Sequence, residues 1–163
     1  MERVKDGASA LIMSPDKVLL FHRDNIPIIP SPDCWQIVGG GIEPGESPRE
    51  AVLREVEEEV SVRLPHCQHV LTRRGSRGED VHVFVAFVDK ADEDKFKLGP
   101  GEGQGIAWFT LDEVAQLKLI PSTHLTYVEL RPFIEDIMQT RQIDSSKINH
   151  IIKIFDEKYK VVP

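Results

Sequence analysis

Residues 54–60, REVEEEV, bring carboxylates together at a spacing that can do chemistry. On a helix turning about 100° per residue, Glu55, Glu58 and Glu59 stand at i, i+3 and i+4 and share one arc. Val52, Leu53, Val56 and Val60 share another, about a third of a turn away, and face a core. Like charges so placed cost about 0.2–0.5 kcal/mol per pair when exposed, and more where screening is poor. Arg54 reaches Glu58 at i+4 and leaves negative charge in surplus. Hard divalent cations prefer such oxygen ligands. A solvated acidic face is the other reading of these seven residues taken alone. Just upstream, Gly39, Gly40 and Gly41 let backbone approach a ligand closely.

These residues need positioning. Ser47 is an N-cap, Pro48 takes the first helical position and Glu50 falls three residues after the cap. That is a capping box with proline at its preferred place, and it predicts a helix to about Val60. Residues 8–14 and 17–21 read as paired strands, turned at Pro15 and Asp16. Prolines 27, 30 and 32 preclude a helix or central strand in the loop that follows. Residues 68–72 and 81–88 read as strands, the second apolar enough to be central. The glycine-rich stretch at 99–105 carries Glu102, and a short strand follows at 106–109. Thr110 or Asp112 opens a short helix through Leu117. Residues 124–139 read as a helix that Pro132 kinks or restarts. Residues 145–158 read as another, with Ile148, Ile151, Ile152 and Phe155 on one face.

The chain has 163 residues, 27 Asp and Glu against 20 Lys and Arg, a net charge of −7 and 40% apolar residues. Length favours one domain, and composition a folded one. No apolar run approaches the roughly 20 residues of a membrane span. The N-terminal stretch does not read as a secretory signal. Two cysteines suit a reducing, cytoplasmic setting. The acidic balance argues against binding a nucleic-acid polymer, which favours a basic surface. It leaves room for a small phosphorylated ligand bridged by metal. His66, Cys67 and His69 lack a fourth ligand for zinc. Trp35 and Trp108 read as core residues, with base stacking the alternative. Arg73, Arg74 and Arg77 read as a solvated basic loop, with steering of an anionic substrate the alternative.

Gly40, five residues, Glu46, seven residues, Arg54-Glu55-Val56, one residue, Glu58-Glu59, one residue, Ser61-Val62: this string resembles the Nudix box, the signature of the Nudix hydrolase superfamily. The family has glycine where this chain has Ser61. Chance gives such a match in roughly a few chains per million of this length. The resemblance implies an α/β chain, an α/β/α sandwich with a mixed sheet and the box as loop–helix–loop. It implies a Nudix domain over residues 1–140; residues 141–163 are not covered by it and read as a helical extension whose apolar face packs on the same domain, with a dimer contact the alternative. It implies a pyrophosphohydrolase acting on a nucleoside diphosphate linked to another group, with Mg²⁺ as metal and Mn²⁺ as substitute.

The implied metal ligands are Glu55, Glu58 and Glu59, with a main-chain carbonyl of Gly39 or Gly40. Arg54 orients a carboxylate. Glu46 matches the outer box glutamate in a supporting role, grouped with Arg23 and Gly41 on the substrate side. Glu102, in an EGQ context, resembles the MutT-like loop whose glutamate approaches the metal or serves as base. The general base is thus Glu58, Glu59 or Glu102. Residues 76–80 carry neither the proline that marks ADP-ribose hydrolases nor the tyrosine that marks dinucleoside polyphosphate hydrolases. The EGQ loop favours a MutT-like nucleoside triphosphate. A sugar nucleotide, ADP-ribose, or sensing of a nucleotide without cleavage are the alternatives. The chain is expected as a monomer or homodimer, off the membrane.

Overall fold

Alternation along short apolar strands divides this chain's core between the two faces of one mixed sheet. The computed structural model describes residues 3–160, so residues 1–2 and 161–163 of the two expected segments lie outside the described residues. The strands are β1 (Gly7–Met13), β2 (Val18–His22), β3 (Trp35–Gln36), β4 (Val38–Gly41), β5 (Gln68–Arg74), β6 (Asp80–Phe87) and β7 (Gly105–Phe109). The helices are α1 (Pro48–Val60), α2 (Leu111–Val114), α3 (Pro121–His124), α4 (Arg131–Thr140) and α5 (Ile148–Lys158).

β1 pairs in parallel with β6 along its whole length, from Gly7 opposite Val81 to Met13 opposite Phe87. Its other edge is divided. β4 takes the first half, with Ala8 opposite Gly40 and Ser9 opposite Gly39, while β2 meets it only at Met13. β2 then runs out between β3 and β7. The triglycine segment is thereby set into the sheet at this fork.

Ala8, Ala10, Ile12, Leu19, Phe21 and Phe84 pack on α1 through Ala51, Val52, Val56 and Val60. Leu11, Met13, Val18, Leu20, Val83 and Val85 pack on the other face beneath α4 and α5, against Ile134, Ile137, Ile151 and Phe155. Two helical layers thus enclose the sheet, as the α/β/α reading expected. The small side chains at Ala8 and Ala10 let α1 come close.

Several boundaries differ from the sequence reading. The segment read as helix 124–139 starts at Pro121 and breaks. Residues Leu125–Glu129 form one wide turn, closed by the Leu130 N–H donating to the Leu125 carbonyl at 2.9 Å. Pro132 restarts the helix, because its ring clashes with the carbonyl four residues back. Residues Ser145–Lys147 form a tighter 3₁₀ turn before α5. Leu53 flanks the buried face of α1, and Ala51 takes the place expected for it.

Ser61 ends α1 in the left-handed conformation, φ 59° and ψ 27°, its N–H donating to the Glu57 carbonyl at 3.1 Å. A side chain is strained there and glycine is not. We predict that Ser61→Gly keeps activity and leaves stability unchanged or raised by up to about 1 kcal/mol, since the relief is partly offset by added freedom in the unfolded chain. Denaturant melts and turnover measurements check both halves; a large activity loss would give Ser61 a specific role.

Candidate active site

The capping box sets the entry of α1. Ser47 Oγ accepts the Glu50 N–H at 3.1 Å, and Glu50 Oε2 accepts the Ser47 N–H at 2.7 Å. From that start the pitch carries Glu59 into the buried arc beside Val52 and Val56, where it is 5% exposed. The sequence reading put Glu59 on the acidic arc with Glu55 and Glu58; the structure puts it at the junction of the two. An acid inside an apolar stripe is expensive unless something answers it. Gly39 does so in part, donating its N–H to Glu59 Oε1 at 2.8 Å. Burial nevertheless pushes the Glu59 carboxyl up to about 8 against that hydrogen bond, and the negative charges of Glu55, Glu102 and Glu58 push it the same way. Burial also raises Glu55, against the nearby Arg54 guanidinium.

Arg54 is the cationic hub. Its Nε and Nη2 hold both carboxylate oxygens of Glu46, at 2.6 and 3.0 Å. Its Nη1 reaches Glu55 at 2.9 Å and Glu58 at 3.3 Å, and its Nη2 also donates to the Gly41 carbonyl at 3.0 Å. Glu46 is held down at about 2 by that pairing and accepts the Glu43 N–H as well. With both oxygens committed, Glu46 anchors Arg54, and Gly41 is occupied in the same way. Gly40 leaves room for this. A Cβ there would fall onto the Glu55 carboxylate.

Glu102 arrives through the far end of the same helix. Helix C-termini leave carbonyls without partners. Here the Gly99 N–H donates to the Glu59 carbonyl at 2.9 Å and the Lys97 N–H to the Val60 carbonyl at 3.1 Å. The loop that caps α1 therefore carries Glu102 to the carboxylates, and the Glu102 charge bears on both Glu55 and Glu59. Gly99 lies so tightly on the Glu58 carbonyl that no Cβ fits. Gln104 secures the other end, donating to the Arg23 carbonyl at 2.7 Å and to Asp33 Oδ1 at 2.9 Å. Asp33 in turn is 3.0 Å from His22, which stacks on Trp35.

A family model of the NUDIX domain matches residues 4–130. This chain belongs to the Nudix hydrolase family. Nucleoside triphosphatase NudI of Enterobacter sp. (strain 638) is 30% identical to it over 60% of this chain and 77% of that protein. Diphosphoinositol polyphosphate phosphohydrolase 3-alpha of Mus musculus is 34% identical over 70% of this chain and 68% of that protein. The NUDIX domain of Shewanella oneidensis NrtR, solved with ADP ribose, shares the fold at a TM-score of 0.65 and 20% identity. That match covers 82% of this chain and 90% of that one.

Nudix hydrolases generally need divalent metal ions. Among the described residues no three His, Cys, Asp or Glu side chains form a closed cage for one. Glu55 is drawn to Arg54, Glu59 to Gly39, and Glu58 is half-exposed. The donor set still fits a hard cation that keeps waters and takes only one or two carboxylates alongside phosphate oxygens. Mutually repelling carboxylates, one of them buried, are what a divalent charge relieves.

The structure thus gathers Glu55, Glu58, Glu59, Glu102, Arg54, Gly39 and Gly40 of this Nudix domain. Arg23 lies elsewhere. It ties the proline-rich loop by donating to the Pro30 and Ser31 carbonyls and to Gln36 Oε1. Sequence reasoning missed the roles of Gln104 and Gly99. The latter could have been suspected from the need to cap α1 at its carboxyl end.

Two predictions follow from this geometry. Glu59 binds its proton more tightly folded than unfolded, where its usual value is 4.5. Between about 4.5 and 8 the native state of the metal-free protein then holds the extra proton, so stability falls as pH rises through that window. The slope should approach about 1 kcal/mol per pH unit, and excess Mg²⁺ should flatten it; melts across pH read it. Gly99→Ala should lower turnover more than roughly tenfold by displacing the Glu102 loop while the far-ultraviolet dichroism of the fold persists.

Proposed function

We propose that this chain hydrolyses the pyrophosphate bond of a nucleoside diphosphate linked to another group, using Mg²⁺ with Mn²⁺ as a substitute. The convergence of Glu55, Glu58, Glu59 and Glu102 beside the triglycine segment carries this reading. A bound divalent ion supplies charge neutralisation on the phosphate oxygens and activation of the attacking water. Glu55, Glu58, Glu59 and a carbonyl of Gly39 or Gly40 would hold it, with water and phosphate oxygens completing its shell. Arg54 keeps the carboxylates oriented and acts as a positioning residue. Glu59 is buried, has one oxygen on Gly39 and holds its own proton in the metal-free protein, which leaves Glu58 and Glu102 as the candidate general bases. A nucleoside triphosphate is the leading substrate class, supported by the EGQ loop and by the relative named as a nucleoside triphosphatase.

The test is a product assay with Mg²⁺ over nucleoside triphosphates, ADP-ribose, sugar nucleotides and dinucleotides. Wild type should turn over at least one class, and Glu58→Gln should lose roughly 10²–10⁴-fold. Excess Mg²⁺ should raise the wild-type melting temperature, and Glu58→Gln should blunt the rise. Nucleotide binding without turnover on any member would replace hydrolysis by sensing.

A further inference from the structure

Arg73 departs most from its sequence reading. It is not in a solvated loop but on β5, facing inward and 8% exposed. Arginine keeps its charge even when buried, so a buried guanidinium needs an answering group. Burial pulls the Arg73 pKa down, with Tyr159 and Glu79 pulling it back up. Among the described residues no carboxylate lies within ion-pair distance of it. Its Nη1 donates to the Arg74 carbonyl at 3.1 Å, and its guanidinium lies over the Phe155 ring at 4.5 Å. Glu79, the nearest acid that bears on it, accepts the Arg77 N–H at 2.8 Å and sits 3.9 Å from Arg77 Nε.

Arg73 also occupies a particular place. It lines a cavity of about 140 Å³ whose rim includes Gly39 and Gly40. It lines a second of about 460 Å³ with Arg23, Arg77, Ser122 and Tyr159. Gln36, Val81, Ile120 and Ser122 line both, so the two are lobes of one cleft leading from the triglycine rim to the arginines. Arg23 spends its donors on neutral oxygens and keeps its charge uncompensated. Three cations against Glu79 make that end net positive in a chain of net charge −7. Phe155 and Tyr159 stand on or just past α5, beyond the residues that the family model matches, so this wall is the chain's own.

We infer that Arg73 is a specificity residue for a phosphate monoester carried by the substrate away from its scissile diphosphate, with Arg77 and Arg23 at the mouth of the same subsite. The inference rests on the hydrolase reading but moves the substrate class away from a simple nucleoside triphosphate, towards diphosphate-linked compounds with a further, remote phosphate. The guanidinium fork matches phosphate oxygens, Phe155 lies against its face and Arg73 lines both lobes of the cleft.

The experiment uses matched pairs differing by one phosphate: coenzyme A and dephospho-coenzyme A, NADPH and NADH, and 2′-phospho-ADP-ribose and ADP-ribose. Wild type should favour the phosphorylated member of at least one pair by tenfold or more in kcat/KM. In Arg73→Met that ratio should fall towards one, and Arg73→Lys should restore part of it. Arg73→Met should melt no lower than wild type; a lower melt together with an unchanged ratio would make Arg73 structural and overturn the inference. Equal use of both members in every pair by wild type would overturn it too. A second arm needs no turnover. Inorganic phosphate is titrated calorimetrically into metal-free protein. Wild type and Glu58→Gln should bind it and Arg73→Met should not, whereas binding that ignores Arg73 is contrary. If wild type cleaves nothing, the hydrolase reading fails, and this arm still decides the subsite.

Discussion

A carboxylate in the apolar stripe of α1 is the constraint from which most of the site follows. Glu59 cannot move to water without unseating Val56 and Val60 from the sheet. Its surroundings therefore answer it. Backbone N–H comes from Gly39, which the fork between β4 and β2 places above the helix. Arg54, held by both oxygens of Glu46, brings positive charge to the neighbouring Glu55 and Glu58. One arginine already paired with Glu46 cannot balance Glu55, Glu58, Glu59 and Glu102 as well, and the remaining negative potential is the site's affinity for a cation. Desolvation works on the same groups twice. It makes the acids costly when alone and strengthens every charge interaction once a counter-charge arrives.

The same helix also governs the second half of the site. Its last carbonyls must find donors, and the Lys97 and Gly99 amides provide them. Capping and delivery of Glu102 are thus one event. Gln104 extends the linkage to Asp33, Asp33 to His22, and His22 to Trp35 by stacking, so backbone hydrogen bonds to α1 and side-chain contacts join the proline-rich loop, the glycine-rich loop and the helix. No single motif spans these segments.

What the sequence made legible follows from range. The capping box and the helix it opens depend on neighbours a few residues away, and both stand as the spacing required. The inner place of β6 was legible from its largely apolar run. The division of residues 35–41 into two strands was not, because it depends on β2 leaving β1 after one residue pair. The break before Pro132 was anticipated, yet the wide turn preceding it was not, since it depends on how Leu125 and Tyr127 pack. Arg73 was misread because β5 runs to Arg74, past the expected end at Thr72, and alternation from Leu71 then turns Arg73 inward. Composition carries no trace of such an extension. Glu59 was half legible: the periodicity already placed it near Val52 and Val56, but the acidic run drew it to the other arc.

The sheet separates two layers that can change independently. α1 and its carboxylates lie on one face, while α5, with Phe155 and Tyr159, closes the other. They meet at the seam where Gly39 and Gly40 line the cleft. A substitution in α5 repacks a wall of the cleft without crossing the sheet. The terminal helix is therefore a place where descendants of this chain can drift toward new ligands while the ancestral carboxylate layer stays under constraint.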